Sequence, residues 1–219
     1  MQSELTTLGF AGGNSYDLIF YIAVFLSALD KKVLLVDNSP CKALSYCIPT
    51  PKGMDAEETL TCYERLKLCK DTNIEKIHGE YDYILIDFGM NLDHKNIACI
   101  DYRFLVTDTR IHNLDALQIF RKEDQDYYLL VRDIVKGINE SYLPMLLDHK
   151  GLKGKKNYYL YLDETDSEAG SALQYYHSYN FKKLSPGIKL LIRELLKEIN
   201  ITDIKAIKAA TKKIRKGGI

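Results

Sequence analysis

The sequence has little of what marks secreted, metal-binding or nucleic-acid-binding chains. Among its 219 residues, 30 basic side chains are balanced by 30 acidic ones, so no net charge attracts the chain as a whole to nucleic acid. Its five cysteines include no CxxC pair, which argues against a zinc site and favours reduced thiols. Tryptophan is absent, so the aromatic side chains are tyrosine and phenylalanine. These absences favour one large cytosolic domain without a metal site.

Long apolar runs are also missing. The stretch 18–29 has only twelve residues, whereas a helix that spans a bilayer needs about 20. The first twenty residues lack the basic n-region of a secretory signal, and a turn interrupts their apolar run. We therefore expect a cytoplasmic protein with no segment that crosses a membrane.

What the sequence does contain is an alternation of short apolar runs with helical patterns. The runs predict strands at residues 6–12, 32–37, 81–89, 102–108, 126–133 and 156–163. The helical patterns cover residues 16–29, 56–68, 114–120, 141–147 and 186–199. This alternation predicts an α/β fold with a doubly wound, mostly parallel sheet, in which ligands bind at the carboxyl ends of the strands. We assign residues 1–200 to this domain and residues 201–219 to a basic tail.

The stretch 9–37, GFAGGNSYDLIFYIAVFLSALDKKVLLVD, joins a strand, a glycine pair, an apolar helix and a strand that ends in Asp37. Gly12 and Gly13 permit a tight turn before the helix. The four positions that follow carry no basic side chain: Asn14, Ser15, Tyr16 and Asp17. An aspartate in the first helical turn occupies the end of the helix dipole that a phosphate would use, and its charge would repel a polyphosphate.

This stretch resembles the N-terminal motif of the MinD/ParA family of deviant Walker-A ATPases. That motif reads K-G-G-x-G-K-T-T, followed by an apolar helix and K-K-V-L-L-V-D-x-D-P. Ala11 stands at the signature lysine of the family and Ser15 at its third glycine. Tyr16 stands at the Walker lysine, and Asp17 at the hydroxyl residue that binds magnesium. The resemblance therefore implies the P-loop NTPase fold with a degenerate phosphate loop.

The resemblance continues downstream and covers about residues 5–200. EYDYILIDFGMN is similar to the Walker-B segment, with Asp87 at its aspartate. In an active relative, Asp37 and Asp87 would serve water activation and magnesium; alternatively, each aspartate caps the turn after its strand. The fifth strand of the family ends in an asparagine that contacts adenine, whereas this chain has Arg132 and Asp133 there.

From these residues we predict a vestigial nucleotide site with no catalytic and no metal-binding residue. Its members are Gly12, Gly13, Asn14, Ser15, Tyr16, Asp17, Asp37 and Asp87. The resemblance implies a homodimeric, non-hydrolysing scaffold or localisation factor with protein partners and no cofactor. TadZ/CpaE-like proteins, which position pilus or secretion machinery in bacteria, are the branch of interest. Two alternatives stay open: a weak ATPase that binds ATP and magnesium, and a DNA-partition-type protein.

The tail is the one strongly basic segment. Residues 201–219 hold six basic residues and one acidic residue, so the tail carries +5 and the remaining chain −5. Isoleucines at helical spacing predict an amphipathic helix, formed by Ile204, Lys205, Ile207, Lys208, Lys212, Lys213, Ile214 and Arg215. It either packs on its own domain or docks on a partner or the inner face of the membrane; the acidic body disfavours nucleic acid.

Overall fold

The computed structural model describes residues 5–49, 61–63, 65–77, 80–120, 126–138 and 141–217. Within these residues, eight strands form one sheet. They are β1 (Thr6–Gly12), β2 (Val33–Asp37), β3 (Thr61–Tyr63), β4 (Leu66–Lys70), β5 (Tyr83–Gly89), β6 (Tyr102–Thr107), β7 (Tyr128–Ile134) and β8 (Lys156–Tyr161). Their order is β3-β4-β2-β5-β1-β6-β7-β8, and every pairing is parallel except that of β3 with β4.

Helices cover both faces of this sheet. They are α1 (Tyr16–Ala28), α2 (Ile111–Phe120), α3 (Tyr142–His149), α4 (Glu164–Tyr176), α5 (Pro186–Glu198) and α6 (Ile204–Arg215). One apolar core holds side chains of α1, α4, α5 and α6, and the other holds side chains of α2 and α3. The predicted doubly wound, mostly parallel sheet is therefore confirmed. No helix among the described residues is both long enough and apolar enough to cross a membrane.

Helix α1 lies inside the molecule. Every residue from Asp17 to Ala28 is buried, as expected for a helix that is apolar on all sides. The C-terminal helices α5 and α6 pack against its outer face. In α6, Ala210, Thr211 and Ile214 are buried, and Lys213 forms an ion pair of 3.2 Å with Asp30 beyond the end of α1.

One helix prediction was wrong, and one helix was missed. The pattern 56–68 was interpreted as helical, but its described part contains β3 and the start of β4, while residues 56–60 lie outside the described residues. Leu66 and Leu68 are buried on either side of the exposed Lys67, and this two-residue period is that of a strand. The missed helix, α4, is largely polar, and the side chain of the preceding residue, Asp163, caps it.

Candidate functional site

The glycine turn after β1 lies directly against β6. Gly12 has φ of 110°, and a Cβ atom added there would lie 2.1 Å from the carbonyl oxygen of Val106. Only glycine combines that backbone conformation with that close approach. The next amide, Gly13 N–H, donates to the same oxygen at 2.6 Å. An amide that a phosphate loop would direct at its ligand is therefore bonded to the neighbouring strand.

The first turn of α1 carries its own negative charge. Asp17 is buried, and its Oδ1 accepts the N–H of Leu18 at 2.8 Å. Ser15, which precedes the helix, does not cap it; its Oγ instead donates to Asp87 Oδ1 at 3.4 Å. A carboxylate at a helix N-terminus is stabilised by the same dipole and amides that bind phosphate.

Arg132 neutralises this buried carboxylate. Its Nη1 and Nη2 donate to the two oxygens of Asp17 at 2.7 and 2.8 Å, and Nη1 also donates to Asn14 O at 3.0 Å. Burial would raise the pKa of Asp17, but the charge and hydrogen bonds of Arg132 hold that pKa below its usual value. Burial likewise opposes the charge of Arg132, whose pKa is nevertheless raised by Asp17.

A bulge at the end of β7 places Arg132 in this position. The register of β7 with β8 shifts between Val131 and Ile134, so Arg132 and Asp133 leave the regular ladder. Asp133 has a left-handed φ of 56°, and its Oδ2 lies 3.4 Å from Arg132 Nε. Because β6 separates β7 from β1 in the sheet, Arg132 reaches across the end of β6 to the first turn of α1.

Tyr16, which stands where the resemblance places the Walker lysine, lies between α1 and α4. A Cβ atom added at Gly170 of α4 would lie 3.3 Å from Tyr16 Oη. Burial, and then the charge of Asp17, raise the pKa of Tyr16 to about 12. The ring borders an open cleft of about 330 Å³ that is also lined by Asp17, Arg132 and Asp166.

Asp37 is held by the loop that follows it. Its Oδ1 accepts the N–H and the hydroxyl of Ser39 at 3.1 and 2.6 Å, and its Oδ2 accepts the N–H and the hydroxyl of Ser45 at 2.8 Å each. Four donors therefore surround a carboxylate that is completely buried. This is the geometry of a side chain that caps a turn.

Asp87 lies opposite Asp37 on the neighbouring strand. Its Oδ1 accepts the N–H of Gly89 at 2.9 Å, as well as the longer bond from Ser15. Burial, followed by the negative charge of Asp37, raises the pKa of Asp87 to about 7. A carboxyl group with that pKa is protonated over much of the acidic and neutral range.

The residues at this edge of the sheet do not fit a magnesium nucleotide. Tyr16 and Asp17 stand where the resemblance places the lysine and the magnesium hydroxyl, and the two arginines that line the cleft, Arg132 and Arg110, are paired with Asp17 and Asp108. The oxygens of Asp37 already accept four hydrogen bonds. Among the described residues, no group of three or more His, Cys, Asp or Glu side chains could hold a metal ion.

The structure brings most of the predicted site residues to one edge of the sheet. Asn14, Tyr16 and Asp17 line the cleft described above. Asp37 and Asp87 lie opposite each other at the ends of β2 and β5, and Ser15 is hydrogen-bonded to Asp87. The pairing of Asp17 with Arg132 was not foreseen. A signal for it existed, because a buried acidic residue in an apolar helix needs a cation nearby, and the sequence has Arg132 where the family has asparagine.

The tail residues have two environments. Ile214 is buried and Lys213 is paired with Asp30, so this side of α6 faces the domain. The opposite side is exposed and consists of Ile204, Lys205, Lys208, Lys212 and Arg215, with Ile207 partly buried beside it.

Comparisons with solved structures agree with this architecture. A protein of Borrelia burgdorferi described as a plasmid partition protein and bound to AMPPNP matches 90% of this chain and 100% of its own, with a TM-score of 0.63 and 16% identity. The fold is that of the ParA and MinD proteins.

Two further structures support that fold. A ParA family ATPase of Chlorobium tepidum covers 94% of this chain and 97% of its own, with a TM-score of 0.54 and 18% identity. The MinC:MinD cell division protein complex of Aquifex aeolicus contains a chain that covers 98% and 97%, with a TM-score of 0.55 and 15% identity. No model of a protein family matches the sequence, and no curated protein does so either.

Proposed function

We propose that the chain is a ParA/MinD-like protein that does not hydrolyse ATP and serves as a scaffold or localisation factor. The observation that carries the proposal is the ion pair between Asp17 and Arg132, at 2.7 and 2.8 Å. In the resemblance, Asp17 stands at the hydroxyl residue that binds magnesium and Arg132 at the asparagine that contacts adenine, so the pair supports a loop whose own side chains replace the contacts to a nucleotide. Without a lysine and a hydroxyl there, the charge of a phosphoryl-transfer transition state would not be stabilised.

Protein partners suit such a role. One structural neighbour is the MinC:MinD complex, in which a protein of this fold binds another protein. By the same analogy, we propose that the chain forms a homodimer in the cytoplasm. We also propose that its partners are pilus or secretion components, as for TadZ/CpaE-like proteins. The membrane surface is the alternative docking partner of α6 in this proposal, because the outer side of this helix is basic.

A weak ATPase is the second candidate, since the neighbour described as a plasmid partition protein binds AMPPNP and the glycine turn is present here. A DNA-partition-type protein is the third, since the basic tail offers a surface for phosphates. The acidic body, −5 without the tail, opposes DNA binding and ranks this candidate last.

The deciding experiment titrates the full chain with a fluorescent ATP analogue and magnesium, and follows phosphate release. We expect no saturable binding up to millimolar analogue and no turnover. Micromolar binding with turnover that is lost in Asp87→Asn would replace the proposal with the ATPase candidate.

A second experiment tests whether the residues of the loop and Arg132 alone prevent nucleotide binding. The combined variant Ser15→Gly, Tyr16→Lys, Asp17→Thr and Arg132→Asn restores three of the four loop residues of the motif and the asparagine of the fifth strand, while removing both partners of the ion pair. We expect it to bind the analogue at least tenfold more tightly than the natural chain. The matched control keeps Tyr16 and carries the other three changes; it should not gain binding, because the lysine supplies the charge-assisted bonds to phosphate.

A further inference from the structure

A groove lies between the last two helices, far along the chain from the phosphate loop. We call it the α5–α6 groove; its volume is about 650 Å³. Leu190 of α5 and Ile204 of α6 line it and are 58% and 67% exposed. Ile207 lies beside them and is partly buried. Large apolar side chains that remain together at the surface mark a place where another molecule binds.

The rim of the groove is strongly basic. Seven of its twelve lining residues are lysine or arginine, and only Glu194 is acidic. Glu194 is already paired with Lys197 at 2.6 Å and with Lys156 at 3.4 Å. Within the described part of the chain, six of the basic side chains form no ion pair: Lys182, Arg193, Lys208, Lys212, Arg215 and Lys216.

The positive charges of the groove also act on a neighbouring lysine. Burial lowers the pKa of Lys189, which precedes Leu190 in α5, and the charges of Arg215 and Arg193 lower it further against the opposite effect of Asp166. An anionic partner relieves such repulsion when it binds, so its affinity gains from charges that destabilise the free protein.

The combination of an apolar floor and a basic rim selects the kind of partner. A duplex nucleic acid would use the cations but leaves Leu190 and Ile204 without an apolar partner. A flat bilayer would contact the cations and the exposed apolar side chains, but it would leave the space between the two helices unfilled. An amphipathic helix fits both features, with apolar side chains in the groove and carboxylates on its flanks. At 13 residues, α5 is about 20 Å long and matches a partner helix of similar length.

We propose that the α5–α6 groove binds an acidic amphipathic helix of a partner protein. The proposal goes beyond the scaffold role described above, because it assigns a surface and a partner chemistry. It also does not depend on nucleotide, since the groove is built from α5, α6 and the loop before α5.

The test uses the full chain and a fluorescein-labelled peptide of 14 residues. Leucine occupies positions i, i+3, i+4 and i+7 of this peptide, with glutamate and alanine elsewhere; a scrambled peptide has the same composition. Fluorescence anisotropy at physiological salt should show saturable binding that is at least tenfold tighter for the patterned peptide. Equal binding of the two peptides, or no saturable binding, would overturn the proposal.

Substitutions locate the site. Leu190→Glu on the floor and Lys208→Glu on the rim should each weaken peptide binding at least tenfold. Lys205→Glu is the matched control, because Lys205 lies on the same helix, is exposed and does not line the groove; it should change binding less than twofold. If Lys205→Glu weakens peptide binding as much as Lys208→Glu does, the peptide is attracted only by the overall positive charge of the helix and the groove assignment is wrong.

Folding and competing partners are controlled in the same assay. Thermal melting checks each variant, and Ile204→Glu, at a 67% exposed position, replaces Leu190→Glu if the latter unfolds. Phosphatidylglycerol vesicles and a 20-base-pair duplex serve as competitors. If the vesicles or the duplex bind more tightly than the patterned peptide, and Lys208→Glu abolishes that binding, the groove is a membrane or nucleic-acid surface and the peptide proposal fails.

Discussion

Asp17 and Arg132 are 115 positions apart, yet both oxygens of the carboxylate accept hydrogen bonds from the guanidinium. The side chains are 5% and 12% exposed, so the pair is shielded from water. It joins the first turn of α1 to the bulge that ends β7 and crosses the intervening strand β6. The first turn of α1, where the helix dipole favours an anion, is thereby occupied by a contact within the chain itself.

The ion pair predicts strong coupling between its two members. Either Asp17→Asn or Arg132→Met leaves one buried charge without a partner, and each should lower the free energy of unfolding by about 3–5 kcal/mol. The double variant should lose much less than the sum. Urea denaturation of all four proteins measures the coupling.

The matched control for this cycle is the surface pair Lys32 and Glu80, whose side chains are 63% and 83% exposed. Lys32→Met should cost less than about 1 kcal/mol. Additive losses at Asp17 and Arg132, of the size seen at the surface pair, would show that the buried pair does not form in solution.

Asp87 predicts that stability falls as the pH rises. Its pKa is about 7 in the folded chain, compared with a usual value of 3.8. Between pH 4 and 7, the folded state therefore holds a proton that the unfolded state has released. The stability that Asp87 contributes is fully present below pH 4 and is lost as the pH rises through 7. Over this range the free energy of unfolding falls by up to about 1.4 kcal/mol per pH unit.

Asp87→Asn should remove this dependence, because an amide cannot ionise yet still offers an oxygen to Gly89 N–H. Urea unfolding at pH 5 and pH 8 should show the variant gaining stability relative to the natural chain at both pH values, and gaining clearly more at pH 8 than at pH 5. The exposed Asp93→Asn is the control and should keep the natural profile. An unchanged profile in Asp87→Asn would assign the pH dependence to other groups.

Gly12 predicts a severe effect from the smallest possible substitution. Gly12→Ala combines a φ of 110° with a Cβ atom 2.1 Å from Val106 O, so the turn must move away from β6. We expect a loss of more than about 2 kcal/mol in the free energy of unfolding. Gly137→Ala is the control, because its added Cβ atom meets nothing within 4 Å. Equal melting temperatures for the two variants would contradict the close approach.

The two sides of α6 predict different responses to the same substitution. Ile214 is 3% exposed and Ile204 is 67% exposed. Ile214→Asn should lower the free energy of unfolding by about 2–4 kcal/mol, because an amide replaces a buried apolar side chain. Ile204→Asn should change it by less than about 0.5 kcal/mol. If urea unfolding shows no difference, α6 does not pack on the domain.

The sheet could be predicted from the sequence because its central strands are continuous apolar runs. Val33–Asp37 and Tyr83–Gly89 are buried on both faces, and such strands leave an unmistakable local pattern. The helix prediction for residues 56–68 was wrong near the edge of the sheet, because the short pattern around Lys67 in β4 is compatible with a helix as well as with a strand. The short strand β3 forms only by pairing with β4, a contact that no local pattern records.

The sequence predicted that the candidate site residues lie together at one edge of the sheet, but it did not predict the hydrogen bonds that they form. Gly12, Asp37 and Asp87 follow from strand ends and from the family motif. The bond from Arg132 to Asp17 depends on the bulge at Asp133, whose left-handed backbone is not encoded by a glycine. The surface on which α6 packs also could not be predicted, because an amphipathic pattern indicates that the apolar side of a helix is covered but not which surface covers it.

The burial of α1 has a consequence for how the chain is made. Residues 16–28 are synthesised well before the helices that cover their outer face, α5 and α6. The ion pair between Asp30 and Lys213 spans 183 positions, and contacts of such long range form late in folding. The apolar helix α1 therefore lacks the cover of its outer side until α5 and α6 have been synthesised, and we expect chaperones to bind this exposed side during that interval.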